Sequence, residues 1–143
     1  MALPSLALVI WAGGLCFVAV ASAVALVAGW EFHRLSRAAN ANSPFLLVVA
    51  FPPGLAVAAY FGEGALAAAI GGAFLVSIAF LFLKGGPRRP LRNYAFTLGG
   101  IAYVGIPLAL AVMMRGSSDG LAWVTLALAV AFASDASAYA VGR

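Results

Sequence analysis

The chain is a succession of long apolar runs separated by short polar segments. Five runs can be distinguished, and they cover residues 2–30, 43–61, 64–83, 94–114 and 121 onward. A helix that crosses a hydrocarbon core about 30 Å thick needs roughly 20 residues, so the runs have about the length of membrane spans. They lack the alternation of apolar and polar residues that is typical of membrane barrel strands. The pattern predicts an all-α, polytopic transmembrane helical bundle with about five spans.

Glycines and prolines indicate where these helices break. The first run is either one tilted helix or the tail of a short hairpin followed by a helix, with the glycine pair at 13–14 as the break. The segment 62–63 predicts a tight turn that joins the second and third runs into an antiparallel hairpin. The prolines at 52–53 and Pro107 should kink or interrupt the second and fourth helices, because proline removes a backbone donor and clashes with the preceding turn.

Composition supports a membrane protein and excludes other classes. Hydrophobic residues make up 65% of the chain and charged residues 8%, and the mean hydropathy is +1.09, whereas soluble domains carry about 25% charged residues. The net charge is +4, but the basic residues lie in short loops and not along one stripe, so we predict no nucleic-acid partner. Cys16 is the only cysteine, which excludes a disulfide framework within the chain. We predict a single transmembrane domain over residues 1–143.

The distribution of Lys and Arg predicts the orientation of the bundle. In a five-span arrangement, segments 31–43 and 84–93 and the carboxyl terminus lie on the same side, and the only basic residue elsewhere is Arg115. Cytoplasmic loops retain positive charge, so we expect the amino terminus outside and the carboxyl terminus inside. The expected location is a bacterial inner (plasma) membrane, with the functional site facing the cytoplasm.

Asp135 is the most informative single residue. A carboxylate within a membrane-spanning helix is costly and normally faces a partner, a metal or water. Counted from Leu121 at 1.5 Å per residue, Asp135 lies about 21 Å along the last helix, in the predicted cytoplasmic half. Tyr139 follows four positions later and shares its face. We predict a functional role for Asp135; the alternative is a satisfied interfacial charge near the helix end.

Other ionisable residues have plainer interpretations. Glu31 and Arg34 are three positions apart and can pair across one helical turn at the membrane boundary. His33 is the only histidine and has no ligand spacing around it, so we predict no metal site there. The basic loop 84–93 indicates topology and binding of anionic lipid, and binding of a nucleotide phosphate is the open alternative.

Three segments, in order along the chain, carry a family resemblance. Residues 133–143 read Ala-Ser-Asp-Ala-Ser-Ala-Tyr-Ala-Val-Gly-Arg and resemble the Asp-x-x-Ala-Tyr-x-x-Gly-Arg region of phosphatidate cytidylyltransferases, the CDP-diacylglycerol synthases. Residues 28–32, Ala-Gly-Trp-Glu-Phe, are similar to the helix end Ala-x-x-Glu-Phe/Trp of that family. Residues 103–108, Tyr-Val-Gly-Ile-Pro-Leu, are similar to its Tyr-x-Gly-x-Pro-Leu segment. Together the three segments span most of the chain.

The resemblance implies a nucleotidyltransferase of phospholipid biosynthesis. In that reaction the phosphate of phosphatidate, a membrane lipid, attacks the α-phosphorus of CTP with the assistance of Mg²⁺, giving CDP-diacylglycerol and pyrophosphate. Such chemistry needs cations to neutralise the phosphates and to hold the attacking oxygen in line. The resemblance implies that Asp135 is a catalytic residue that holds metal or positions the nucleotide. It also implies that Tyr139, Arg143 and Glu31 bind substrate.

The chain also departs from the family pattern. Members continue after the Gly-Arg pair with a basic segment and, later, with an acidic signature that supplies the principal metal-binding and catalytic groups. This sequence stops at Arg143, so we expect an incomplete, amino-terminal portion of such an enzyme that is inactive alone. The alternative function is a small membrane scaffold or transport subunit, in which Asp135 only pairs with another helix. The oligomeric state stays open, with a homodimer among the expected assemblies.

Overall fold

The chain folds into a bundle of antiparallel helices, in a computed structural model that describes residues 9–83 and 90–142. The helices are α1 (Gly14–Ala38), α2 (Phe45–Tyr60), α3 (Glu63–Leu83), α4 (Pro90–Gly100), α5 (Ile106–Arg115) and α6 (Gly120–Val141). A π-helical turn, Ile101–Gly105, joins α4 to α5. The described residues contain no strand, and the predicted all-α bundle is confirmed.

Most of these helices are long enough to cross a membrane. Within the described chain, four segments have the required length and apolar composition: Gly14–Ala38, Glu63–Phe80, Pro90–Arg115 and Gly120–Val141. Helix α2 is also apolar but has only 16 residues, or about 24 Å, which is shorter than a hydrocarbon core of about 30 Å. It lies inside the bundle, in contact with α1, α3 and α5. The described residues therefore contain five apolar helical segments, with α4, the π-helical turn and α5 counted as one, and the second segment is shorter than a full span.

The first apolar run is divided at the predicted glycine pair. A short helix ends before Gly13, and the φ angles of the pair are 60° and 50°, a region that glycine adopts without steric cost. Arg115 then covers this helix end: its Nε donates to the carbonyl of Ile10 at 2.7 Å and its Nη2 to that of Trp11 at 3.2 Å. The guanidinium thus satisfies carbonyls that have no partner within the short helix.

The prolines of α2 do not interrupt the helix, so of the two predicted effects, a kink or an interruption, the interruption does not occur in this run. Helical structure continues through Pro52 and the following proline. Pro52 cannot donate a hydrogen bond to the carbonyl of Val48. That carbonyl instead faces Gly29 of α1, where an added Cβ would lie 2.7 Å from the Val48 oxygen. A neighbouring backbone therefore covers the carbonyl that the proline leaves free, as membrane-embedded helices require.

Pro107 has the expected disruptive effect on the fourth run. The residue four positions earlier is Tyr103, whose carbonyl cannot receive a hydrogen bond from Pro107. The π-helical turn Ile101–Gly105 lies at this place, and its i→i+5 pattern widens the helix locally. Glycines at both ends of the turn then permit close packing, since a Cβ at Gly100 or at Gly105 would lie 2.7 Å from Phe32 or Leu55, respectively.

We predict that Gly29→Ala destabilises the protein. The added methyl group meets the backbone of α2 at Val48, and overpacking of this kind costs about 1–3 kcal/mol. The matched control is Gly71→Ala on α3, where no atom lies within 4 Å of the new Cβ. The measurement is the free energy of unfolding in a denaturant titration of the detergent-solubilised protein. Equal stabilities of the two variants would contradict the close α1–α2 approach.

Candidate functional site

One end of the bundle brings together the end of α1, the start of α2 and the start of α4. The backbone N–H of Asn42, in the α1–α2 loop, donates to Oδ1 of Asn93 on α4 at 2.8 Å. Glu31 lies in the last two turns of α1, and we call this end of the bundle the Glu31 end. The opposite end carries the contact of Arg115 with the residues that precede α1. Helix α6 starts after the loop that follows Arg115 and runs back towards the Glu31 end.

Buried hydroxyl groups close the α1–α2 turn at the Glu31 end. Ser36 donates to the carbonyl of His33 at 2.8 Å, and its Oγ lies 2.6 Å from Oγ of Ser43. Each hydroxyl has one hydrogen to donate, so Ser43 donates to Ser36. Nδ1 of His33 lies at a longer 3.4 Å from Oγ of Ser43. Both serines are almost fully buried, so this cluster holds the turn and is closed to substrate.

This serine cluster was not singled out from the sequence. The available signal was the presence of Ser36 and Ser43 on either side of a turn between apolar runs. The sequence places Asn93 at the end of the basic loop 84–93, whereas in the structure its side chain is buried and joins two segments. His33 packs edge-on against Phe45, with ring centroids 5.2 Å apart. Sequence reasoning therefore identified charged candidates and missed the neutral groups that position them.

Glu31 lines an open pocket of about 380 Å³ on the surface of α1. The other lining residues are Arg34, Leu35 and Ala38, and none of them belongs to α6. The guanidinium of Arg34 lies 5.1 Å from the ring centroid of Trp30. Among the residues with described positions, no ion pair joins Glu31 to Arg34, so the pairing suggested by their spacing is absent. The Glu31 carboxylate is exposed at this pocket.

Asp135 lies on an exposed part of α6. The helix is continuous from Gly120 to Val141, and only Gly120 and Val124 of its residues are buried. Within the described part of the chain, the Asp135 carboxylate has no hydrogen-bond or ion-pair partner. Tyr139 is 69% exposed and lies one helical turn further on, on the same face. The structure therefore leaves this face of α6 accessible.

The predicted residue Arg143 lies outside the described residues, as does most of the basic loop 84–93. That Arg143 and the basic loop lie at the same end of the bundle as Asp135 stays a prediction. Glu31 and Asp135 are each located on helices that run towards the same end of the bundle. The pocket at Glu31, however, is built by α1 alone.

Two of the three family-like segments are in contact. Phe32, from the segment 28–32, packs against Tyr103, from the segment 103–108, with ring centroids 6.3 Å apart. The first ring also lies against Gly100, immediately before the π-helical turn. The third segment, around Asp135, lies on α6, which packs against α5. The fold thus brings the segments 28–32 and 103–108 together at Phe32, the residue next to Glu31.

The donor set for a metal ion is sparse. No group of three or more His, Cys, Asp and Glu side chains that could hold an ion occurs among residues 9–83 and 90–142. In phosphate-transferring sites, Mg²⁺ is commonly held by one or two carboxylates together with substrate phosphates. The exposed carboxylate of Asp135 fits the role of one such ligand. A role of Asp135 as a Mg²⁺ ligand therefore stays a prediction.

Comparison with protein families decides the relationship that the three segments suggest. The sequence profile described as Cytidylyltransferase family matches residues 1–143. The chain belongs to the cytidylyltransferase family. This is the family of the CDP-diacylglycerol synthases, so the resemblance drawn from the sequence is confirmed. Neither the curated proteins nor the solved structures gave a match.

Family membership and helix composition agree about the class of protein. The cytidylyltransferase family supports a nucleotidyltransferase by resemblance. The four long apolar helices of the described chain, together with the family, indicate a membrane protein. The fold and the family therefore place the candidate residues of this cytidylyltransferase family member in a membrane-embedded bundle.

We predict that Ser36→Ala lowers the free energy of unfolding by about 1–3 kcal/mol, because it leaves the buried hydroxyl of Ser43 without its 2.6 Å partner. The matched control is Ser117→Ala. Ser117 also donates to the carbonyl three residues earlier, at 2.8 Å, but it is exposed, so the expected change is within about 0.5 kcal/mol. Denaturant titration of both variants provides the measurement. A Ser36→Ala protein as stable as the control would show that the cluster does not hold the turn.

Proposed function

We propose that this cytidylyltransferase family member takes part in the synthesis of CDP-diacylglycerol from CTP and phosphatidate. A phosphate oxygen of phosphatidate forms a bond to the α-phosphorus of CTP. The bond between that phosphorus and the oxygen bridging to the β-phosphorus breaks, and pyrophosphate leaves. The overall charge on the phosphates is high, so the reaction depends on groups that neutralise them and hold the attacking oxygen in line.

The observation that supports the proposal most strongly is the exposed carboxylate of Asp135. An unpaired carboxylate on a membrane-spanning helix is costly, and Asp135 has no partner within the described residues. A functional ligand accounts for the retention of such a group better than packing does. The same residue begins the segment that most resembles the family. We therefore assign Asp135 to holding Mg²⁺ or positioning the nucleotide.

The remaining candidate residues are assigned to substrate binding. Tyr139 shares the face of Asp135, and its hydroxyl can donate to a phosphate or ribose oxygen. Glu31 lines the open pocket on α1 and can accept hydrogen bonds from a ribose or a cytosine amino group. Arg143 is assigned to a substrate phosphate, because a guanidinium binds phosphate through two parallel hydrogen bonds. Mg²⁺ supplies charge neutralisation when it is bound.

The rival function is a membrane scaffold or transport subunit without catalytic activity. The sparse set of metal ligands among the described residues favours it. In this function Asp135 only pairs with a residue of another helix. The two functions differ in what Asp135→Asn does, because an amide can replace a carboxylate in a hydrogen bond but is a much weaker ligand for Mg²⁺.

We predict that Asp135→Asn lowers CDP-diacylglycerol formation at least about tenfold, the scale expected for a group that orients a metal or phosphate. The assay supplies CTP, phosphatidate and Mg²⁺ to purified protein, both as this chain alone and joined to the carboxyl-terminal half of a cytidylyltransferase family member. We expect product only from the joined protein. The matched control is Asp119→Asn, at the other end of α6, where the side chain makes no capping hydrogen bond.

Three results would count against this function or against the role of Asp135. A joined protein that is folded and yields no CDP-diacylglycerol would favour the scaffold. Full activity of the joined Asp135→Asn protein would show that the Asp135 carboxylate has no role in the reaction. An equal loss of activity in Asp119→Asn would assign the effect to the helix and not to the carboxylate at position 135.

We also propose that the Glu31 end faces the cytoplasm of a bacterial cell, where CTP is available. After replacement of Cys16 by Ala, single cysteines are introduced as Asn42→Cys at the Glu31 end and as Ser118→Cys at the opposite end. Both original side chains are exposed. In intact spheroplasts, a membrane-impermeant maleimide should label only the Ser118→Cys protein. Labelling of only the Asn42→Cys protein would reverse the orientation.

A further inference from the structure

An apolar groove runs between α1, α5 and α6. Its volume is about 310 Å³, and all eleven residues that line it are apolar. The lining includes Phe17 and Val24 on α1, Met114 on α5, and Ala127 on α6. Val24 and Met114 remain 49% and 38% exposed, so the groove opens on the outer surface of the bundle. In a membrane-spanning bundle, an outer surface that no other protein covers faces the lipid.

The groove reaches the end of the bundle that carries Arg115. Met114, which precedes Arg115, is part of its wall, and so is Val9, which precedes Ile10. The guanidinium of Arg115 has five N–H donors, and hydrogen bonds to two carbonyls hold it in place through Nε and Nη2. In the described parts of the chain, the other donors of the guanidinium have no acceptor and no carboxylate pairs with Arg115. A fixed cation thus lies at the same end of the bundle as the end of the groove that Val9 and Met114 line.

We propose that this groove binds one acyl chain of a phospholipid and that Arg115 binds the phosphate of the same lipid. The two chemistries of the site, a cation and an apolar channel beside it, match the phosphate and the chain of a phospholipid. From Phe17 to Val24 the groove follows α1 for about 10 Å, the length of part of one chain. Trp11, next to Arg115 in space, is 75% exposed, as is typical of an aromatic residue at the headgroup level.

The dimensions favour a lipid chain over another helix. Over about 10 Å of its length, an α-helix that is about 10 Å wide with its side chains occupies roughly 800 Å³. The groove has a volume of about 310 Å³, so it suits a narrower acyl chain. The site lies at the end opposite Glu31. It is therefore separate from the proposed reaction of CTP, and its test does not depend on that reaction.

The experiment uses two photoactivatable lipids with identical diazirine-bearing acyl chains, one phosphatidylglycerol and one diacylglycerol. The chain is placed in phosphatidylcholine nanodiscs that contain either probe, and the cross-linked peptides are identified by mass spectrometry. We expect phosphatidylglycerol to label the groove peptides of α1 and α6 about fivefold more than diacylglycerol, because one basic residue at the surface favours an anionic lipid by about this factor.

Two variants separate the groove from the cation. Ala127→Leu fills the groove and should reduce labelling by both probes, whereas Ala129→Leu, on the same helix but outside the lining, should not. Arg115→Gln should lower labelling by phosphatidylglycerol to the level of diacylglycerol. Because Arg115 also holds the helix end at Ile10, circular dichroism checks its fold, and Ala127→Leu tests the groove independently of that contact.

Other outcomes would overturn the proposal. Cross-links spread evenly over the apolar surface would indicate ordinary boundary lipid. Equal labelling by both probes would show that Arg115 does not bind the lipid phosphate. Unchanged labelling of Ala127→Leu would show that the lipid chain does not bind in the groove. Cross-links from groove residues to a second copy of the chain would show that protein covers this face.

Discussion

The packing of the bundle depends on the contact between α1 and the carbonyl of Val48 in α2, which has no hydrogen-bond donor because Pro52 lies four residues later. Pro52 lies in the middle of α2 and cannot bond to the carbonyl of Val48, and in a membrane there is no water to satisfy that oxygen. Gly29 brings the backbone of α1 to this position, since even one methyl group there would meet the oxygen at 2.7 Å. Cα–H groups make weak hydrogen bonds to carbonyls at such helix contacts. Gly29 and Pro52 therefore act together: the proline frees the Val48 carbonyl, and the glycine lets α1 approach closely enough to cover it.

This close approach sets the geometry of the Glu31 end. With α1 held against α2, the turn between them is short, and the hydroxyls of Ser36 and Ser43 meet inside it. The same approach carries Phe32 onto Gly100, and the π-helical turn that follows aligns Tyr103 with the Phe32 ring. The family-like segments around these residues are thus joined by packing and not by polar contacts. Glu31 stays outside this packing, at a pocket that is open to a ligand.

The sequence pattern was sufficient for features that depend on local chemistry. Apolar runs predicted the helices, and glycine predicted the break at Gly13, because each follows from the residues themselves. The continuity of α2 through Pro52 was not predictable in this way, since it depends on Gly29, more than twenty positions earlier. The Ser36–Ser43 contact was not predictable for the same reason: the two serines form a buried hydrogen bond only when the turn brings them together. Asp135 stays a prediction: a carboxylate in an apolar run is recognisable from the sequence alone, because such a group is costly in a membrane, but the group that it faces depends on the rest of the fold.

Helix α6 links the two ends of the bundle. Its buried residues, Gly120 and Val124, lie in the first turns, so protein contacts hold this helix mainly near the Arg115 end. Ala127 lines the apolar groove at the next turn, and Asp135 follows about 12 Å further along. An acyl chain bound in the groove would add contacts to α6 beyond Val124, where the described residues bury none of its side chains. Because a helix is stiff over this distance, whatever fixes α6 at the groove also restricts the position of the Asp135 carboxylate.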